Sequence, residues 1–267
     1  MVPVPPGIIR VEGWRLFRRP SPAHLLDLTD MQPAEILPGT GPILLICDHA
    51  SNAVPPDIDL KIAPALFDKH IAVDIGAAAV TRELAAILGA PAIFATVSRL
   101  VIDLHRATDH PGLVPVESDG HAIPGNLGVD RAARIARFHA PYHRALAMLI
   151  AAHQPRLLAS IHSFTPALET GSAPRPWEIG VLYNRDTRAA QEAIAHFEQA
   201  GVTTGDNQPY SGRVLNVTLN RHGEANGIRS FAIELRNDLI HHPAGAARWA
   251  GLIAPVLSAI AESGRGA

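Results

Sequence analysis

From Ile43 onward, short apolar runs of strand length alternate with stretches whose apolar residues recur at helical spacing. The runs 43–47, 92–97, 100–104, 157–162, 179–183 and 230–235 read as strands. The stretch 73–88, with Ile75, Ala79, Leu84 and Leu88 on one face, reads as a helix stopped by Gly89. Residues 130–152, 188–200 and 243–261 read as three more helices. Pro141 is expected to kink or split the first of these, and Pro255 to weaken the last. Alternation of this kind predicts an α/β fold, with a mixed, mostly parallel central sheet and helices on both faces. No repeat or long linker divides the chain, so one domain is expected over residues 1–267. Its proline-rich residues 1–40 are expected to form an irregular arm packed on the domain. The proline- and glycine-rich segment 109–126 reads as a long surface loop, and long loops in compact domains are often functional.

Composition narrows the function. Net charge is near −2 and no basic block occurs, which argues against nucleic acid as a partner. No run of about 18 apolar residues is unbroken, so no membrane span is expected. Met1–Gly7 lacks a basic segment followed by an apolar one, so no export leader is expected. The single cysteine, Cys47, excludes an internal disulfide and fits a reducing, cytoplasmic compartment. Fourteen histidines are many for 267 residues, and histidine is the commonest metal ligand and acid–base side chain.

Three apolar runs finish in such groups. Residues 43–47 lead into Asp48 and His49, 157–161 into His162, and 231–233 into Glu234. Parallel neighbours bring these ends to one rim, where ligand sites of open α/β sheets gather. Two histidines and a carboxylate leave an open zinc position for water, and a further glutamate beside that water can act as a base. Taken singly, each residue has a plainer use: a histidine at a strand end as a hydrogen-bonded structural group, a glutamate as half of a salt bridge.

Four segments resemble, in order, the N-formylglutamate amidohydrolase family. They are Cys47-Asp48-His49-Ala50-Ser51-Asn52, Ser160-Ile161-His162-Ser163-Phe164-Thr165-Pro166, Asn207-Gln208-Pro209-Tyr210-Ser211 and Ile233-Glu234-Leu235-Arg236-Asn237-Asp238. The resemblance runs from about Pro42 to Ile240. It implies a phosphorylase/hydrolase-like fold related to the zinc carboxypeptidases and the aspartoacylase group. It also implies zinc held by His49 and His162, with Glu234 as catalytic glutamate. Zinc carboxypeptidases carry a ligating glutamate three residues after the first histidine, where this chain has Asn52, a neutral and poor ligand. Zinc cell-wall amidases take their acidic ligand from the start of a later helix. Asp74 has that place here and is preferred as the third ligand, its alternative role being a helix N-cap.

Residues 98–106, Ser-Arg-Leu-Val-Ile-Asp-Leu-His-Arg, resemble the aspartoacylase stretch that polarises the scissile carbonyl and grips the substrate carboxylate. That assigns Arg99 to catalysis and Arg106 to substrate binding, although His105 stands where an asparagine is usual and the division between the two arginines stays open. An ion pair of Arg106 with Asp103 or Asp109 is the plainer alternative. The same resemblance puts Asn52, Tyr210 and His222 against substrate. His139 and His143 are four apart, but Pro141 lies between them, and packing or solvation outweighs a second metal site there. The implied activity is zinc-dependent hydrolysis of the formyl amide of N-formyl-L-glutamate or a close N-acyl amino acid. The partner is then a small acidic substrate. The alternatives are an amidohydrolase acting on another N-acyl amino acid or a cell-wall peptide, and a non-catalytic binding protein of the same fold.

Overall fold

A computed structural model describes residue 32, residues 34–171 and residues 173–263. The greater part of the expected N-terminal arm lies outside these residues. Its end is not irregular: Ala34–Leu37 forms strand β1, antiparallel to a strand at Ala92–Ala95. Strand β2 follows at Ile43–Cys47 and helix α1 at Ala77–Leu88; Ala92–Ala95 is β3. A small hairpin, β4 (Glu117–Ser118) and β5 (His121–Ala122), lies inside the expected long loop. Helices α2 (Arg131–Arg134) and α3 (Ala140–His153) precede β6 (Leu157–Phe164) and β7 (Ile179–Leu182). Then come α4 (Arg188–Gln199), β8 (Thr204–Asp206), α5 (Val217–His222), β9 (Arg229–Arg236) and α6 (Pro243–Ser263).

Among the described residues the main sheet has seven strands, in the order β1-β3-β2-β6-β9-β7-β8. The pairs β3/β2, β2/β6, β6/β9 and β7/β8 are parallel, while β1/β3 and β9/β7 are antiparallel. Alternation along β2 divides the core into two layers. Ile43, Leu45 and Cys47 join the side chains of α1, α4 and α6 on one face of the sheet. Leu44 and Ile46 face the other way, towards Phe138, Tyr142, Ala145 and Leu146 of the α3 region and a mass of loops. Burial of such side chains stabilises the fold by roughly 1.5–3 kcal/mol each.

Several elements differ from expectation for local reasons. Residues 100–104 are buried but are not a strand. The Val101 amide donates to Ser98 O, and Asp103 donates to Leu113 O, so the segment turns under the α3 layer. The helix expected at 130–152 is interrupted by a π-helical turn at Ile135–His139, just before Pro141, where the wider turn accommodates a residue that has no N–H to bond back. Helix α1 starts later than expected because Gly76 has φ +84 and sits hard against the Ile240 carbonyl, leaving no room for a side chain. Helix α6 runs through Pro255; the carbonyl four residues back, freed by that proline, belongs to exposed Gly251. By length and composition α6 is apolar enough to cross a membrane, but Trp249, Ala250, Ile253, Leu257 and Ile260 are buried in the core against α1 and α4.

Candidate active site

The site lies at the carboxyl ends of β2, β6 and β9, on the loop-covered face of the sheet. His49 comes two residues after β2 ends. His162 and Glu234 are still inside β6 and β9, and the parallel register pairs them directly. Ser160 and His162 share the loop-covered face by strand alternation, as do Ala232 and Glu234. On the neighbouring strand β7, Gly180 stands opposite Glu234, and its bare Cα lets the Gln208 carbonyl pack where a Cβ would be.

Asp74 is delivered by the turn before α1, whose start is fixed by a hydrogen bond from the Asp74 amide to the His49 carbonyl, 3.1 Å. Its carboxylate does not cap the helix; the cap position is Gly76, with no side-chain hydrogen bond. Instead Asp74 Oδ2 lies 3.2 Å from His49 Nδ1 and 2.8 Å from His162 Nδ1, and all three residues are buried. These three donor atoms lie within 4.8 Å of one another, as the ligands of one metal ion do. The donor set, two imidazoles and a carboxylate, suits zinc.

Each imidazole is held by its other nitrogen. His49 Nε2 donates to Asp103 Oδ1 at 2.8 Å. His162 Nε2 donates to Ser160 Oγ at 2.9 Å, and that hydroxyl donates to Asp48 Oδ2. Protons fixed at both Nε2 positions leave both Nδ1 lone pairs aimed at the centre, which is how metal-binding histidines are oriented. Asp103 also accepts from Arg99 at 2.9 Å and from the His105 amide at 3.0 Å. Asp48 accepts from the Tyr142 hydroxyl and from His105 Nδ1, at 2.9 and 3.0 Å. The sequence marks Asp48 as a strand-end group and Asp103 as an ion-pair partner for Arg106, but it shows neither as an anchor of the histidines, nor His105 as a lining residue. A signal existed, because a carboxylate inside or just after an apolar run must be paired if it is buried.

The electrostatics follow. Burial works against charge on Asp48 and Asp103, yet the imidazoles and guanidinium beside them hold both carboxyls well below the usual range. Burial also works against charge on the His162 ring, but Asp48 and Asp74 outweigh it and raise its pKa well above the ordinary value. Positive charge between Asp74 and its histidines, whether a proton or a metal ion, is therefore favoured there. Glu234 is the exception. Burial pushes it up to about 7, and its Oε2 has no hydrogen-bond partner. A raised carboxyl facing a cavity is what a general base near neutrality requires.

The cavity encloses about 140 Å³ and is lined by His49, His162, Glu234, Arg99, Arg106 and Tyr210 among others. Arg99 is clamped to Asp74 Oδ1 and Asp103 Oδ2, at 3.0 and 2.9 Å. Arg106 is looser, with Nε 3.6 Å from Asp103, a buried rather than a surface partner. Two expected substrate contacts are elsewhere. Asn52 is turned to the Phe67 carbonyl and Asp68, because the loop after His49 leads its side chain away from the histidines. His222 is buried on the inner face of α5, stacked on His143 with ring centroids 5.2 Å apart, and does not line the cavity. His139 and His143 are structural: their Nε2 atoms donate to the Arg106 and Leu104 carbonyls and so pin the segment carrying His105.

Comparison with known proteins shows what the whole chain is similar to. A structure from Agrobacterium tumefaciens is 32% identical, over 88% of this chain and 97% of its own, with a TM-score of 0.83. The N-formylglutamate amidohydrolase of Ralstonia eutropha JMP134 is 22% identical over 88% of this chain and 99% of its own, with a TM-score of 0.67. No curated protein matches the chain. The model of the N-formylglutamate amidohydrolase family matches residues 41–241, a span that takes in His49, Asp74, Asp103, His162 and Glu234. The chain belongs to the N-formylglutamate amidohydrolase family.

Proposed function

We propose that this protein hydrolyses the formyl amide of N-formyl-L-glutamate, or of a closely related N-acyl amino acid, to the free amino acid and formate. The observation that carries the reading is the convergence of His49 Nδ1, His162 Nδ1 and Asp74 Oδ2 beside an unpaired, buried Glu234 carboxyl. His49, Asp74 and His162 would hold zinc, and their geometry fits that ion on the donor set and on the anchored Nε2 atoms. A bound zinc supplies a Lewis acid that lowers the pKa of water and draws charge from a carbonyl oxygen.

The chain's own groups then carry the proton and place the substrate. Glu234 accepts a proton from water as the water oxygen bonds to the formyl carbon. It returns that proton to the amide nitrogen as the C–N bond breaks, so formate and a free amine leave. Arg99 has both terminal nitrogens tied to carboxylates, which fixes its plane and suits it to a carbonyl oxygen that gains charge. Arg106 has more unused N–H groups, which suits it to grip a substrate carboxylate in bidentate fashion. Tyr210 lines the same cavity and is held by Arg175, which donates to its hydroxyl at 3.2 Å. The lone Cys47 is buried and free, in keeping with the proposed cytoplasmic setting.

The test is formate release from N-formylglutamate by zinc-loaded protein, run beside N-formyl and N-acetyl derivatives of acidic and neutral amino acids. Fastest turnover on the formylated acidic member is expected. Preference for an acetylated or neutral substrate would assign the site to a different N-acyl amino acid. Zinc binding without turnover on any of them would make the chain a binding protein.

A further inference from the structure

A second group of ligand-type side chains stands outside the catalytic cluster, at the mouth of the site. His70 follows a short turn at Pro64–Asp68. Asp119 sits in the turn between β4 and β5, at φ +44. Glu169 comes from the loop after β6. One donor atom from each lies within 4.8 Å of the other two. The cluster borders an outer pocket of about 350 Å³ lined by His70 and Asp119. His70, Arg99 and Tyr210 line both this pocket and the inner cavity.

His70 turns a ring nitrogen towards Asp119. Its Nε2 is shut off from solvent and lies 3.0 Å from Asp119 Oδ2, yet it forms no hydrogen bond to that oxygen or to any other protein atom. The carboxylates are oriented from behind. Asp119 accepts from the Glu169 and Thr170 amides and the Thr170 hydroxyl, at 2.8, 3.1 and 2.7 Å. His121 Nε2 lies 3.0 Å from Glu169 Oε2. Lys69 Nζ lies 2.8 Å from both Glu169 oxygens and is the resident competitor for any other cation there.

We propose that His70, Asp119 and Glu169 form a second divalent-cation site, selective for zinc-like ions over magnesium or calcium because an imidazole is in the set. The ion displaces Lys69 from Glu169 and keeps a position open for water. It joins the segment before α1, the β4–β5 hairpin and the loop after β6 around the mouth. It also adds positive charge where an anionic substrate enters.

Equilibrium dialysis against Zn²⁺, followed by metal analysis, tests this on the full chain. Wild type is expected to bind two equivalents, the second more weakly. His70→Gln and Glu169→Gln should each lose only the weaker equivalent, and His49→Gln/His162→Gln only the tighter. Lys69→Met should tighten the weaker equivalent several-fold. One equivalent in wild type, a second equivalent that survives both His70→Gln and Glu169→Gln, or unchanged affinity in Lys69→Met would each overturn the proposal. Retention of both equivalents in His49→Gln/His162→Gln would instead count against the catalytic zinc site, so the two failures are distinguishable.

Discussion

Asp103 Oδ1 sits 2.8 Å from His49 Nε2, on the opposite side of the ring from Asp74. That contact fixes the proton on Nε2 and points the Nδ1 lone pair at the centre. Because Asp103 also clamps Arg99, one carboxylate sets both a metal-type ligand and a charged substrate-facing group. Asp103→Asn keeps the shape and removes the charge. Zinc affinity, read by competition with a chelating dye, is expected to fall by about 10–100-fold, the usual effect of removing a ligand's outer partner. Unchanged affinity would mean that His49 needs no anchor.

Asp74 and Asn52 differ in position and in chemistry. Asp74→Ala is expected to abolish tight zinc binding at the catalytic cluster, whereas Asn52→Ala, altered only where it meets Phe67 and Asp68, keeps it. Metal content of the two purified variants decides between them, and the reverse pattern would move the third ligand to Asn52.

Substrate charge is the concern of Arg106. Losing a charged hydrogen bond to a bound carboxylate should cost about 2–5 kcal/mol. Arg106→Ala is therefore expected to raise KM for N-formylglutamate far more than KM for an uncharged formamide. Equal effects on both substrates would remove Arg106 from carboxylate recognition.

Acid should unfold the chain partly through two histidines behind the site. Burial lowers His143 to about 3 and His222 to about 4, against about 6.5 in the unfolded chain. Between pH 6.5 and 4 the unfolded state therefore binds more protons than the folded one, so stability falls as pH falls through that window. In metal-free protein the melting temperature is expected to drop from pH 7 to pH 4.5. His143→Gln, which cannot titrate, should flatten that slope by a few degrees, with roughly 2–4 °C for each kcal/mol involved. An unaltered slope would show that these rings do not control acid stability.

The α/β class and the strand ends were legible in the sequence because the apolar runs are short and end abruptly in ionisable residues. His49, His162 and Glu234 can be picked out on that ground, and the likeness to zinc cell-wall amidases adds Asp74. What joins them was not legible. Strands β6 and β9 are parallel neighbours separated by β7, α4, β8 and α5 in the chain, and no local signal records such a pairing. Residues 100–104 read as a strand because so short an apolar run, broken only at Asp103, has no period to show its shape. The partners of Asp48, Asp103 and His222 depend on how loops fold over the sheet. For the same reason the sequence does not show that His222 lies outside the cavity lining or that His105 lies within it.

The central claim is that Glu234 moves the proton between water and the leaving amine without holding the metal. Its carboxyl is buried, raised to about 7 and unpaired at Oε2, and it pairs in register with His162. Glutamine keeps its shape but accepts no proton near neutral pH. The decisive measurement is kcat for formate release by zinc-loaded Glu234→Gln, with metal content and melting temperature recorded on the same sample. The account predicts wild-type zinc, a retained fold and a kcat lower by roughly 10²–10⁴. Near-wild-type kcat in the zinc-loaded variant would contradict it.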